Sequence, residues 1–414
     1  YVPMSIKFPK ARIQEIIEDA KIKTILDPET LTKILEVRTF KYINSNLKLK
    51  KTDNRSPLYI LFTSGSSGRP KGVVISRGAF IALDNAQKQL LETTQKNSNL
   101  LQVTEFTFDI SLVDFLLFLR KRANIYFSRS SNNVFQLAQE IDEYRIDFLC
   151  TVPNTLSLML SEKMIVRANY RSLKTIVLIG SRVTEGLYYK LAKYFPNKLI
   201  INGYGPTEFT VYSHAKKFKF KDDLDLNGTN VSVGRTLSMV RSEIISNGSI
   251  LSEFEKGELC LAGPQLMSEY KGDAAKTKMA LIELSGELFY RTGDIAYRDD
   301  KNEYYIVGRL DDTIKYCGYR VNLLDINSYI SKLRYIEDVC TISVPDEIKE
   351  NIILSFIVLN DKKITEEKIR EDLSKIISDY QIPQEIVFLG KLPTHQNGKI
   401  DKKELIRCYN SLID

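Results

Sequence analysis

The sequence predicts a multidomain α/β protein, and three textures along the chain predict it. Strand-like and helix-like stretches alternate from about residue 58 to residue 201, as in a parallel or mixed sheet wrapped by helices. From about residue 231 to residue 308, short alternating apolar runs sit between turn signals and read as a smaller β-rich subdomain. Beyond Asp311 lies a compact α+β piece of about a hundred residues, the size of a small domain. The expected division is a large core domain over 1–310, with its β-rich part at 231–308, and a C-terminal domain over 312–414.

Taken in order, Ile13, Ile16, Ile17 and Ala20 recur at helical spacing and predict a helix over 9–20. Residues 22–26 read as a short strand, and 44–56 are polar and loop-like. The apolar run 58–62 reads as a buried strand. After it come the small residues Thr63, Ser64, Gly65, Ser66, Ser67 and Gly68, then Lys71, then a second apolar run at 73–75. Helices are expected over 76–91, 111–120, 133–144 and 184–194, and strands over 124–127, 148–152, 175–178 and 198–201. The β-rich part contributes 258–261, 287–290 and 304–307. The last domain contributes a helix at 325–333, strands at 339–344 and 352–358, and a helix over 365–380. Ligands on such sheets bind in loops at the carboxyl ends of strands. Three loops follow strands in this way: 63–71, Gly180 with Ser181, and 202–208.

Composition narrows the function. No apolar run reaches transmembrane length. Five scattered cysteines without a Cys-x-x-Cys pair argue against a disulfide framework or zinc site and fit a reducing, cytoplasmic compartment. The formal charge of +7 is spread among interspersed residues, which favours a solvated surface over nucleic-acid binding and also suits a polyanionic ligand.

The loop 63–71 has the chemistry of a polyphosphate cradle. Small residues let backbone N–H groups approach an anion, hydroxyls add donors, and Lys71 adds a point charge. A Gly/Ser hairpin between two strands would read the same way. It is not a Walker loop, because Arg69 and Pro70 separate Gly68 from Lys71. In 202–208, Tyr204 offers a ring for a nucleobase, Thr207 a hydroxyl and Glu208 a carboxylate suited to Mg²⁺; an ordinary turn is the alternative. Asp294 after a glycine is suited to vicinal ribose hydroxyls, or to a turn. Arg309 marks either a hinge facing phosphate or a surface turn. Lys399, by itself, reads as a surface lysine.

In order, the pieces are the phosphate loop, Asn-x-Tyr-Gly-Pro-Thr-Glu, Tyr-Arg-Thr-Gly-Asp, Gly-Arg-x-Asp-Asp-x-Ile-Lys and Asn-Gly-Lys-Ile-Asp. This series resembles the adenylate-forming superfamily from Tyr1 to about Leu405. Within it, the chain is similar to the amino-acid adenylation domains of nonribosomal peptide synthetases and to stand-alone D-alanine–carrier protein ligases. The resemblance implies layered αβ sheets plus a small β-barrel in the large domain, a mobile C-terminal domain, and a hinge at Asp311. It also implies two steps. A substrate carboxylate attacks the α-phosphorus of ATP, releasing pyrophosphate, and the phosphopantetheine thiol of a carrier protein then takes the acyl group.

By that resemblance Thr63, Ser64, Gly65, Ser66, Ser67, Gly68 and Lys71 hold the β- and γ-phosphates. Asn202 and Tyr204 hold adenine, Thr207 the α-phosphate, Glu208 Mg²⁺, Asp294 ribose, and Arg309 ribose or phosphate. Gly180, Ser181, Gly203, Gly205 and Ile306 complete the nucleotide site. Lys399 stabilises the adenylating transition state and leaves when the small domain rotates. Phe108-Asp109-Ile110-Ser111 resembles the family's Phe-Asp-x-Ser motif, so Asp109 pairs with a substrate α-ammonium; a helix N-cap is the competing reading. The side-chain pocket is expected from Ile110, Val113, Thr151, Val177, Ile179, Gly203, Val211 and Tyr212, which suits a small to medium apolar or weakly polar amino acid.

The sequence departs from the family pattern at several places. The chain starts inside the motif Tyr-Val-Pro-x-Asp, with Ser5 where Asp is usual, so roughly a hundred residues of the family fold are expected to be missing upstream. Ser76 stands where many relatives have His, Asn322 replaces a usual Glu, and Cys317 sits at an unusual place. Three rivals remain. A D-alanine ligase commonly has Cys at the position of Ile179; an acyl- or aryl-CoA ligase has no use for Asp109; a non-catalytic nucleotide-binding remnant would exchange no pyrophosphate.

Overall fold

The computed structural model describes residues 1–36, 52–63, 70–130, 133–161, 170–218, 220, 226–227, 230–310, 312–346, 350–360, 363–394 and 400–413. Ser64 to Gly68, Asp311 and Lys399 lie outside these.

A seven-stranded sheet carries the large domain. Its strands run Arg235–Thr236, His214–Phe218, Leu199–Tyr204, Thr175–Leu178, Phe148–Thr151, Asn99–Gln102 and Asn124–Phe127 in spatial order. The last five are parallel, as the alternation predicts. Their continuous apolar character follows from burial on both faces. Leu100, Cys150, Val177 and Ile201 pack into one core, and Leu101, Leu149, Ile176 and Ile200 into a second core across the sheet.

Helices cover both faces, and short polar residues start three of them. Ser76 accepts a bond from Ala79 N (3.1 Å) and caps Arg77–Leu90, which gives this departure from the family a local role. Asn133 and Thr184 cap Val134–Glu143 and Glu185–Tyr194 in the same way.

Pro57–Thr63 and Lys71–Ser76 form an antiparallel hairpin in which Thr63 faces Lys71, with Glu269–Tyr270 as a third strand. The hairpin reading of 63–71 therefore holds for its flanking strands. The β-rich part is a six-stranded antiparallel sheet in which Glu287–Arg298 pairs with three neighbours.

In the C-terminal domain Ile336–Asp346 and Glu350–Leu359 pair antiparallel, and Glu385–Phe388 joins them in parallel. Leu323–Ser331 and Glu366–Ser374 pack one face, and Lys402–Ile413 the other. Asn322 caps the first of these helices through Leu324 N (2.8 Å) and Asp325 N (3.3 Å), so the residue replacing Glu is spent on the helix start.

Two expectations need correcting. Residues 22–26 are not a strand; after Lys21 turns left-handed, Ile25 and Leu26 run exposed with no strand among the described residues paired to them. The helix expected over 365–380 ends at Ser374, because Ser378 starts a new turn with a capping box to Gln381. No helix among the described residues is long and apolar enough to cross a membrane.

Candidate active site

The strand Leu199–Tyr204 ends in a turn whose shape only glycine permits. A Cβ on Gly205 would lie 2.5 Å from Tyr212 Cα and 2.6 Å from Val211 O. A single 3₁₀ turn, Thr207–Phe209, follows. Thr210 and Val211 then take φ of 53° and 72°, which costs β-branched residues on the order of 1–3 kcal/mol each. Buried Gln265 holds this strain in place. Its side-chain amide donates to Thr210 O (3.1 Å) and Tyr212 O (2.9 Å), and its backbone carbonyl accepts from Thr210 Oγ1 (2.6 Å).

The held loop places Thr207, Glu208 and Val211 around Asp109. Ile110 occupies the N-cap of Ser111–Lys121 without a side-chain cap, so Asp109 is not spent on the helix end. Burial pushes the Asp109 carboxyl up to about 6; hydrogen bonds from the Thr207 hydroxyl and the Val211 and Ile110 backbone restrain the rise. Among the described residues no Lys or Arg pairs with it.

Glu208 is fully buried and crowded by donors. Its Oε1 accepts from Lys71 Nζ (2.8 Å), Tyr270 Oη (2.8 Å) and Arg320 Nη1 (3.1 Å). Burial opposes ionisation, but the Lys71 and Arg320 charges outweigh it and hold the carboxyl well below its usual range. Burial lowers Lys71 to about 8, against the attraction of Glu208, so the lysine stays protonated at neutral pH. Lys71 also stands 4.4 Å over the Tyr270 ring. No second carboxylate joins Glu208, and no cluster of three metal-ligating side chains exists among the described residues. These residues do not fit a divalent cation while Arg320 is present.

Beside this centre, a cavity of about 230 Å³ is lined by Ser181, Gly203, Tyr204, Asp294, Ile306 and Lys315. Asp294 accepts from the Tyr204 hydroxyl and from Arg309 Nη1 (2.6 Å). Lys315 Nζ stands 5.1 Å over the Tyr204 ring, on a face expected to stack a base. Asn202 does not line the cavity; it is buried and its amide donates to Ser232 O (2.9 Å), bracing the strand.

An inner cavity of about 90 Å³ is lined by Thr63, Asp109, Thr207, Asp294, Arg309 and Arg320, with Gly180 and Gly205 alongside. The Thr63 hydroxyl is buried there with no partner among the described residues, which suits a phosphate oxygen. Ile110, Ile179 and Val211 line its apolar end. Val113, Val177 and Tyr212 lie behind them, and Thr151 borders a neighbouring cavity with Val152 and Gly318.

The C-terminal domain completes the site through the hairpin Thr313–Tyr316 and Tyr319–Asn322. Its two-residue tip, Cys317 and Gly318, has φ of 50° and 85°. A Cβ on Gly318 would lie 2.5 Å from Val152 Cγ1, so glycine lets the tip press against the large domain. Tyr319 meets Phe108 edge-on at 4.5 Å, Asn154 donates to Cys317 Sγ (3.1 Å), and Arg12 donates to Gln381 Oε1 (3.2 Å). Arg12, Gln265, Tyr270, Lys315 and Arg320 carry no role in the sequence reading. Lys315 lies inside a quoted segment, Arg320 between the noted Cys317 and Asn322, and Arg12 in a predicted helix; Gln265 and Tyr270 belong to no motif.

The family profile described as AMP-binding enzyme matches residues 1–271, and that described as AMP-binding enzyme C-terminal domain matches 325–399. The chain belongs to the AMP-binding enzyme family. This AMP-binding enzyme is an adenylation domain of the adenylate-forming superfamily, the fold and chemistry class its motif order predicts. It is 29% identical to gramicidin S synthase 1 of Brevibacillus brevis, over 98% of this chain and 37% of that protein. It is 27% identical to a D-alanine–D-alanyl carrier protein ligase of Bacillus cytotoxicus, over 98% of this chain and 84% of that protein. The AMP-binding enzyme thus spans little more than a third of the first relative's length. In fold it is similar to the Vibrio cholerae adenylation domain AlmE, solved with glycyl-adenosine-5'-phosphate (TM-score 0.83, 21% identity, 99% of this chain and 84% of that one).

Proposed function

We propose that this chain activates an amino acid as its aminoacyl-adenylate, releasing pyrophosphate from ATP, and passes the acyl group to the phosphopantetheine thiol of a carrier protein. The observation that carries the reading is Asp109. A buried carboxylate without a cation beside it is costly unless a ligand supplies the charge, and a substrate α-ammonium does so. Its neighbour Thr207 then sits between the amino-acid end and the nucleoside cavity at Asp294. Relatives on both the peptide-synthetase and the D-alanine side support an amino-acid substrate and a carrier.

In this reading Asp294 and Tyr204 take the nucleoside, Thr63 and the loop after it the phosphates, and Thr207 the α-phosphate. Glu208, the sequence's candidate for the magnesium that accompanies ATP, is occupied by Lys71 and Arg320 in this arrangement and does not fit the ion. Lys399 is assigned to the reacting carboxylate and α-phosphate, arriving by rotation about Asp311. The carrier's arm reaches Asp109 by an outer cavity of about 380 Å³ lined by Lys7, Asn154, Cys317 and Tyr380, then past Val152 and Gly318. ATP dependence and five free cysteines suit a cytoplasmic enzyme. Amino-acid-dependent pyrophosphate exchange tests the reading. Lys399→Ala abolishes it while ATP binding survives, since the lysine acts on the reacting centre; unchanged exchange in that variant contradicts the assignment.

A further inference from the structure

Arg12 belongs to the helix Lys10–Ala20 of the large domain and is only 6% exposed. Arginine is almost never so buried unless an opposite charge pairs with it. Here no carboxylate among the described residues does so. Its Nη1 donates to Gln381 Oε1 of the C-terminal domain (3.2 Å), and its guanidinium lies 4.7 Å from the centre of the Phe8 ring. Its Nε is buried without a partner among the described residues. Gln381 is buried too, and the same oxygen accepts from Ser378 N (3.4 Å). Beside it, Tyr380 stacks on Tyr319 with 3.9 Å between ring centres. Tyr319 meets Phe108 edge-on, one residue before Asp109. The contact at Arg12 is therefore continuous, through packed rings, with the amino-acid end of the inner cavity.

Resting on the two-step reading above, in which the orientation with Arg320 on Glu208 belongs to acyl transfer, we propose that Arg12 is a positioning residue that weights this orientation of the C-terminal domain through Gln381. A hydrogen bond to a charged group shifts an equilibrium by about 10-fold or more. Rotation of the C-terminal domain breaks this one, because its two ends lie on different domains. Seating the domain takes Arg12 out of water, and a neutral amide offsets that cost only in part. The domain therefore stays free to leave for the adenylation step. A carboxylate at position 381 would tip this balance. It would still accept from Ser378 N, and it would add a buried ion pair with Arg12. Gln381→Glu holds the domain in place, and Arg12→Ala releases it.

The test compares two activities and one structural readout on the full chain. Amino-acid-dependent pyrophosphate exchange reads adenylation. Formation of aminoacyl-pantetheine, with free pantetheine as the acceptor, reads acyl transfer. Alkylation of Cys317 by iodoacetamide, located by mass spectrometry, reads the seating of the hairpin tip against Val152. Arg12→Ala is expected to lower transfer about 5- to 10-fold and to speed alkylation of Cys317, with exchange within about twofold of the unaltered chain. Gln381→Glu is expected to do the reverse: exchange falls about 5-fold or more, and alkylation slows. In the double variant the effect of Gln381→Glu disappears, because it acts only through Arg12. An AMP-induced rise in melting temperature shows that each variant is folded, and Gln381→Glu, which removes no bond, carries the test if Arg12→Ala does not fold. Equal losses of exchange and transfer in folded Arg12→Ala overturn the proposal alone. So does a Gln381→Glu effect that is the same with and without Arg12. Exchange with no amino acid in the unaltered chain, while AMP still raises its melting temperature, overturns the function reading and this inference with it.

Discussion

Asp109 shows what a single residue contributes here. Its carboxyl is pushed up to about 6 by burial, so it is charged above that pH and neutral below it. If it holds an α-ammonium, the KM for the amino acid rises by about tenfold per pH unit as pH falls below 6. The KM for ATP stays level over the same range. Asp109→Asn removes this acid limb and lowers kcat/KM for the amino acid at least about 30-fold, the scale of breaking a buried charged pair. Steady-state kinetics between pH 5 and 8 check both. Asp109 was legible because a motif of adjacent residues surrounds it. Gln265 was not, although it holds the strained loop at Thr210 and Val211. A lone glutamine more than fifty residues along the chain gives no local sign of what it will bond to.

At the scale of elements, the strands buried on both faces were the most legible. Phe148–Thr151 and Thr175–Leu178 are buried throughout because helices cover the sheet twice. Residues 22–26 misled because β-branched and apolar residues do not reveal whether a partner strand exists. The strand His214–Phe218 carries a further consequence. His214 is fully buried, its Nδ1 bonded to Ser213 Oγ (2.9 Å) and its Nε2 to Ser242 Oγ (3.1 Å), an arrangement that a neutral imidazole satisfies. Burial lowers it from 6.5 to about 3. Below pH 6.5 the unfolded chain takes up a proton that the folded chain refuses. Folding stability therefore falls by about 1.4 kcal/mol per pH unit from this residue until pH nears 3. Denaturant unfolding at pH 7.0 and 5.5 checks this; His214→Asn flattens the dependence.

At the scale of the whole molecule, the site is shared between two domains. Glu208 and Lys71 come from the large domain and Arg320 from the hairpin of the small one. Under the proposed two-step reading, the arrangement with Arg320 on Glu208 is assigned to the acyl-transfer half of the cycle. Arg320→Ala takes one cation from a buried carboxylate, a loss of at most about 3–5 kcal/mol because Lys71 remains. Carrier loading is expected to fall at least about tenfold, and amino-acid-dependent exchange to fall much less. Equal losses in both assays contradict that division of roles. None of these cross-domain contacts was legible in the sequence, since Glu208 and Arg320 are separated by 112 positions and meet only through domain orientation. The order of motifs was legible, because each motif answers a local backbone demand, as Gly205 does in its turn.

The most direct test of an amino-acid-activating, AMP-forming enzyme is to identify the nucleotide product. The chain is incubated with ATP, magnesium and each amino acid in turn, and the products are separated by mass spectrometry. The account predicts AMP, pyrophosphate and an aminoacyl-adenylate, formed only when the amino acid is present. Formation of ADP, or no amino-acid-dependent product with any amino acid, contradicts it.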